Sequence, residues 1–509
     1  MSPVNTKITR YGYIIRKAWL SLKQLAEIKR ELTVSPSKYG AFQRMGAKVK
    51  WNIYEENGDY ISVPKYYGLA KFGEPEINRI EEASPERLRM RYLGLLRPRQ
   101  EIIMEKMIEA FKTKRGGIVI AGCGSGKTNL AIYAACHLKV KTLFVVHKEF
   151  LRDQARDRIL STTNIRRVGL IQGKITDTDH PIVIGMIQSL VKRDYESDFF
   201  KQFGMVIIDE VHHMGARNFS KLYQMISAKY MLGITAEHSR ADGLFKIINW
   251  YMGPVIHREE QLPNSMVVVK RFHYKSLDGD NTKMHYIRGT GMREPDRSKM
   301  ITNLTMIKKR TRFIYRIIVS LFDMGKNILF LTGRLDHVDR LFKMLESEET
   351  IQGSVGMYTG EMVQKDRDKS ATKQIILATY DMAQEGLDIE SLNAVILGTP
   401  KGAVKQAVGR ILRKEVYEEH PMVIDIIDAI DIFEKQASRR ESYFETQEYR
   451  IQDHWVTEDT DDTKSISWKD SKAIEKALRE MPTAREKTEK PEPKRTRVKC
   501  IVESDDEYD

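Results

Sequence analysis

The chain has 509 residues, 41% hydrophobic and 30% charged, and carries a formal charge of +14. That length exceeds one ordinary core, so two or three domains are expected, and the composition excludes a wholly disordered chain. No apolar run reaches the roughly 18 residues of a membrane span, and the start MSPVNTKITRYGYIIRK lacks the apolar core of a secretory signal. Cys123, Cys136 and Cys500 make neither a disulfide framework nor a zinc pattern, which predicts a soluble protein in a reducing, intracellular setting without membrane partners.

Residues 1–50 hold eleven Lys or Arg against Glu27 and Glu31, a net of +9, whereas residues 51–100 balance. A basic surface suits a phosphate backbone, and it also suits plain solvation. Tyr11, Tyr13, Trp19 and Trp51 are interleaved with these cations, so residues 1–90 read as a small, basic α+β accessory domain that grips nucleic acid or packs a core of its own. On this reading a chain starting near Glu86 keeps the whole motor. From Gly116 the pattern changes. IVIAG, TLFVV, PIVIGM, MVIIDE and YMLGIT are short apolar strands separated by helix-length segments, which predicts a parallel sheet covered on both faces over residues 95–262. Residues 263–300 read as a connection. NILFLT, VGMYTG, QIILAT, NAVILG and MVIDII repeat the α/β pattern over 301–455. The tail 456–509 is polar, basic from Arg485 to Lys499 and acidic at ESDDEYD, and reads as disordered.

Three segments carry chemistry. AGCGSGKT, with Ala121, Gly122, Cys123, Gly124, Ser125, Gly126, Lys127 and Thr128, lies between a predicted strand and a predicted helix. Glycines there let backbone N–H groups close around phosphates at the positive end of a helix, Lys127 reaches the β/γ-phosphates, and the Thr128 hydroxyl ligates Mg²⁺. MVIIDEVHH ends a strand in two acids. Asp209 is the expected second holder of Mg²⁺ and Glu210 the base that orients and deprotonates water. In QAVGRILR, predicted to open a helix, Arg410 and Arg413 are three residues apart and share a face, as arginine fingers aimed at a γ-phosphate would.

Read in order, these segments resemble those of superfamily 2 helicases over roughly residues 95–450. LRPRQ is similar to the segment whose glutamine, here Gln100, reads adenine. TLFVVHKEFLRDQ resembles motif Ia, VIGMIQSL motif Ic, and the DEVH box of Asp209, Glu210, Val211 and His212 motif II in its DEAH-like spelling. GITAEHSRADG resembles motif III, with Thr235 and Ala236 in the coupling positions, while Glu237 and His238 replace the usual Thr-Pro. NILFLTGRLDHV, ATYDMAQEGLDI and QAVGRILR resemble motifs IV, V and VI. The resemblance implies two tandem RecA-like domains with ATP and Mg²⁺ in the cleft between them. It adds Gly386 and Asp388 on the nucleotide and Gln406 among the catalytic groups. It implies nucleic acid across the top of both domains, with His147, Lys148, Gln188, Ser189, Arg334 and Thr379 as contacts.

The expected activity is ATP-dependent nucleic-acid unwinding or translocation. The run through EGLDIESLNAVILGTP, and VPKYYG ahead of the motor, are similar to the transcript-release and repair helicases of large cytoplasmic DNA viruses and to the phage recombination type. That resemblance favours DNA over RNA, implies partners in the transcription or replication machinery, and places the protein in host cytoplasm, viral factories or the virion. RNA unwinding and a non-hydrolysing nucleotide-binding scaffold are the alternatives. The scaffold reading requires a lost base or finger, and Glu210, Arg410 and Arg413 are all present.

Overall fold

The computed structural model describes residues 4–35, 50–82, 88–122, 124–196, 198–215, 222–223, 225–226, 228–237, 243–259, 266–287, 294–385, 387, 389–412 and 420–458. The polar tail after Glu458, Cys123, His238, Gly386, Asp388 and Arg413 lie outside them.

The expected α/β architecture is present as two large sheets. The first has eight strands, in the order Ile175–Asp177, Gly169–Gln172, Ile182–Met186, Thr142–Val146, Met205–Asp209, Tyr230–Thr235, Gly116–Ile120 and Val255–Arg258. Every pairing is parallel except that of the first two. Four of these strands, Gly116–Ile120, Thr142–Val146, Ile182–Met186 and Met205–Asp209, are buried at all five positions, as a sheet covered on both faces demands. One face packs on the helix Lys127–Leu138, whose small Ala131, Ala134 and Ala135 bring it close to the strands.

The second sheet has seven strands, all parallel, in the order Val355–Tyr358, Ile375–Thr379, Ile328–Thr332, Ala394–Leu397, Met422–Asp428, Val268–Lys275 and Arg450–Thr457. Here the structure corrects one expectation. The stretch 263–300 is not only a connection, because Val268–Lys275 runs inside the second sheet between two neighbours. Its Lys270 and Arg271 break the apolar pattern, yet both are buried. Arg271 is neutralised by Glu441 at 2.9 Å and Asp453 at 3.3 Å.

The N-terminal part forms a five-stranded sheet, Thr6–Thr9 to Ile77–Asn78, with helices Leu22–Glu31 and Lys65–Phe72. Its core runs without a break into that of the first large sheet: Ile8, Tyr13, Ile15 and Ile61 share one cluster with Ile118, Leu143 and Tyr251. Tyr67 meets Trp250 edge-on at 5.5 Å, and the Tyr251 hydroxyl donates to the Ile53 carbonyl at 3.3 Å. The described residues between Val4 and Glu82 therefore pack as one core with the first large sheet. Removing them would bare apolar surface on the helix Phe245–Met252, against the expectation that a chain from Glu86 stands alone. Of the four interleaved aromatics, Tyr13 is fully buried and Trp51 packs on the core, whereas Tyr11 and Trp19 stay about half exposed.

Candidate nucleotide site and nucleic-acid face

The phosphate loop follows the strand Gly116–Ile120. Gly124 and Gly126 take positive φ, +81° and +77°, which lets the chain double back before the helix starts at Lys127. The loop is pinned on several sides. Ala121 N donates to the Thr235 carbonyl at 3.0 Å, Ser125 Oγ to the Gly122 carbonyl at 2.8 Å, and Gly122 N to the Glu259 carboxylate at 2.7 Å. Lys127 Nζ lies 3.0 Å from the carbonyls of both Ala121 and Gly122. Gln100 is buried against the loop. Its Nε2 donates to the Ser125 carbonyl at 3.0 Å, and its Oε1 accepts from Arg97 N at 2.9 Å.

Asp209 and Glu210 close the strand Met205–Asp209 beside this loop. Glu210 is one of four described non-glycine residues at positive φ, +47°, and such strain concentrates at functional positions. Its N–H donates to Asp209 Oδ1 at 2.9 Å. Burial, reinforced by the Glu210 carboxylate, holds Asp209 well above the usual carboxylate range. Burial also opposes charge on Glu210, but the His212 imidazole 3.3 Å away and the Lys127 ammonium outweigh it and keep Glu210 below that range. The two acids repel each other in a site that favours added positive charge, and with the Thr128 hydroxyl they offer the hard oxygen donors Mg²⁺ prefers. His212 Nδ1 lies 2.8 Å from Thr235 Oγ1, which joins the acidic box to the predicted coupling strand.

The second sheet contributes Arg410, which is buried and donates from Nη1 to the Leu387 carbonyl at 2.7 Å. The predicted helix is short. Lys405–Val408 is α-helical, and Gly409–Ile411 tightens into a 3₁₀ turn. One cavity of about 310 Å³ is lined by Gln100, Gly124, Gly126, Lys127, Thr128, Asp209 and Glu210 from the first half and by Leu387, Glu390 and Arg410 from the second. Residue reading had not singled out Glu390, whose carboxylate meets Arg97 at 3.3 Å across the cleft. Nor had it singled out Glu259 or Arg158.

Of the residues expected on nucleic acid, Lys148 and Thr379 line a second cavity of about 610 Å³ with Phe150, Tyr380 and Lys401. Arg334 borders it too, but its guanidinium is occupied by Thr302 Oγ1 at 2.8 Å, Ser298 Oγ at 2.8 Å and the Gly333 carbonyl at 2.7 Å. Gln188 donates to the His147 carbonyl at 2.7 Å, and Ser189 Oγ accepts from Gly173 N at 2.9 Å, so both also serve as loop pins. Lys401, in TPKG, is a second cation on the second-sheet side beside Arg334, where Glu361 and Asp381 also line the cavity, and it lies 5.5 Å from the Tyr380 ring. Only its place after an apolar strand could have flagged it.

Residues 94–240 match the family model "Type III restriction enzyme, res subunit", and residues 309–415 match "Helicase conserved C-terminal domain". The "Putative ATP-dependent RNA helicase L396" of Acanthamoeba polyphaga mimivirus is 54% identical over 94% of this chain and 92% of its own length. The "ATP-dependent DNA helicase uvsW" of Enterobacteria phage T4 is 24% identical over 62% of this chain and 64% of its own. In fold, a single-residue variant of S. cerevisiae Dbp5 bound to RNA and ADP BeF3 aligns with a TM-score of 0.50 over 74% of this chain and 93% of that one, at 12% identity. The ordered motifs, the cleft between two parallel sheets and the mimivirus relative converge: the chain belongs to the superfamily 2 ATP-dependent helicases, enzymes that hydrolyse ATP to act on nucleic acid, in the branch found in large DNA viruses.

Proposed function

We propose that this helicase moves along DNA by closing and reopening the cleft between its two sheets once per ATP. The observation that carries the reading is the 310 Å³ cavity in which Lys127, Asp209 and Glu210 face Arg410 from the other half. Lys127 neutralises the β/γ-phosphates, and Thr128 and Asp209 hold Mg²⁺, which supplies charge compensation when bound. Glu210, kept ionised by His212 and Lys127, takes the proton of the attacking water. Arg410, joined by Arg413, stabilises charge on the transferring phosphoryl group, so turnover requires the closed cleft. Gln100 orients the adenine side, and Gly386 and Asp388, outside the described residues, are assigned to the nucleotide by motif resemblance alone. Residues 95–262 and the part from Val268 onward act as the two moving bodies.

The grip is on the backbone. Lys148 and Lys401 face the second cavity with Thr379, and Phe150 offers a ring to a base, while Glu361 and Asp381 on the same lining leave the cations as the phosphate contacts. Phosphate contacts of this kind position a strand without choosing its sequence. DNA is favoured because a phage relative is named a DNA helicase. The mimivirus relative's name favours RNA as the second reading. We assign this work to host cytoplasm, in transcript release, repair or recombination, on the motif resemblance alone. The test is ATPase activity with single-stranded DNA, duplex DNA and RNA side by side, with Lys127→Ala as the silent control. Stimulation by DNA at least about tenfold above RNA supports the reading. The reverse order assigns RNA, and no stimulation by any of the three removes the motor.

A further inference from the structure

Glu237 stands where the motif this segment resembles has the second threonine of Thr-Ala-Thr-Pro, and its longer side chain makes a contact a threonine could not reach. It sits two residues beyond the strand Tyr230–Thr235, and its N–H donates to Thr235 Oγ1 at 3.0 Å. That hydroxyl oxygen is 2.8 Å from His212 Nδ1, and the same nitrogen is 3.3 Å from Glu210 Oε2. Thr235 is fully buried, so this end of the chain of contacts is stiff. At the other end the Glu237 carboxylate crosses to the second half, where its Oε1 accepts from Gln406 Nε2 at 2.9 Å. Gln406 lies in the short helix Lys405–Val408, which turns directly into the segment carrying Arg410.

We infer that Glu237 is a positioning residue. It holds the Gln406–Arg410 segment in register with Glu210, so that closure of the two halves is felt at the water-activating acid. The inference rests on the reading of Glu210 and Arg410 given above. Glu237 does not line the nucleotide cavity, so its effect falls on the rate of the step and not on ATP binding. What matters is an oxygen acceptor at glutamate's reach. Charge is secondary, because the partner is a neutral amide.

Four variants separate these properties: Glu237→Gln keeps acceptor and reach, Glu237→Asp keeps charge but shortens the arm, Glu237→Ala removes both, and Gln406→Ala removes the partner. ATPase is measured at saturating nucleic acid, with KM for ATP and thermal unfolding followed in parallel. The expected result is a kcat about tenfold lower in Glu237→Asp and Glu237→Ala, KM within about twofold of the parent, and Glu237→Gln within about threefold of the parent rate. The double variant Glu237→Ala with Gln406→Ala should be no slower than Gln406→Ala alone, since both remove one contact. Parent-like kcat in Glu237→Asp, or losses that multiply in the double variant, overturns the inference. Should Glu237→Ala fail to fold, Glu237→Asp against Glu237→Gln decides by itself. Glu210→Gln run alongside separates the two readings: if it turns over at the parent rate, the assignment of the acid fails, whatever Glu237 does.

Discussion

Replacing Gly126 with alanine perturbs the phosphate loop in two countable ways. The backbone there has φ +77°, a region that costs an L-residue about 1–2 kcal/mol. A Cβ at that position would also come to 2.1 Å from Gln100 Nε2, so the amide must leave and its 3.0 Å bond to the Ser125 carbonyl is lost. One such bond is worth about 1 kcal/mol. The loop can relax into other shapes, but those no longer point its amides at phosphate, so the cost appears in ATP binding. The total of about 2–3 kcal/mol predicts affinity about 30- to 150-fold weaker. Titration calorimetry of the Glu210→Gln form, which hydrolyses slowly, reads the affinity directly. In a Gln100→Ala background the collision is gone and only the backbone strain remains, so Gly126→Ala should then cost about tenfold. An affinity within about twofold of the parent, or the same loss in both backgrounds, refutes this account of the loop.

Two further outcomes follow from other parts of the fold. Tyr11, Trp19 and Lys23 remain exposed on the N-terminal part, and Lys23→Glu should lower the slope of log affinity against log salt by about one while leaving nucleic-acid-free ATPase intact; an unchanged slope assigns this surface to something other than a phosphate grip. Arg310 is fully buried and forks onto Asp428 at 2.6 and 2.9 Å, so Arg310→Met, which strands the carboxylate, should lower unfolding free energy by about 3–5 kcal/mol in urea titration; a loss under about 1 kcal/mol would mean the pair is already hydrated.

What could be read from sequence was what is local. Lys127 sits one residue after a left-handed glycine and eleven after the start of an apolar strand, so loop, strand and helix identify one another within a dozen residues. Asp209 and Glu210 were legible for the same reason, at the end of five fully buried positions. Contacts between distant segments were not. Nothing in the spacing of Glu237 and Gln406, 169 residues apart, announces their hydrogen bond. Val268–Lys275 falls in the stretch expected to be a connection, and its sheet neighbours Met422–Asp428 and Arg450–Thr457 lie far along the chain. The partners of its Arg271, Glu441 and Asp453, come from equally far along. The basic N-terminus reads as a separate module because charge is visible in sequence and a shared core is not. Tyr13 and Ile61 reveal that core only once they are seen packed with Tyr251. Arg334 looked like a strand contact by its motif, and only the structure shows its fork taken up by Ser298 and Thr302.

If hydrolysis requires groups from both halves of the chain in one cleft, Arg410 is the residue that tests it most directly. It reaches the nucleotide cavity from the second half while Lys127 and Glu210 reach it from the first. Under single-turnover conditions with saturating nucleic acid, Arg410→Ala should slow ATP cleavage about a thousandfold while ATP affinity changes by no more than about threefold. Cleavage at the parent rate, or affinity falling as far as the rate, would contradict it.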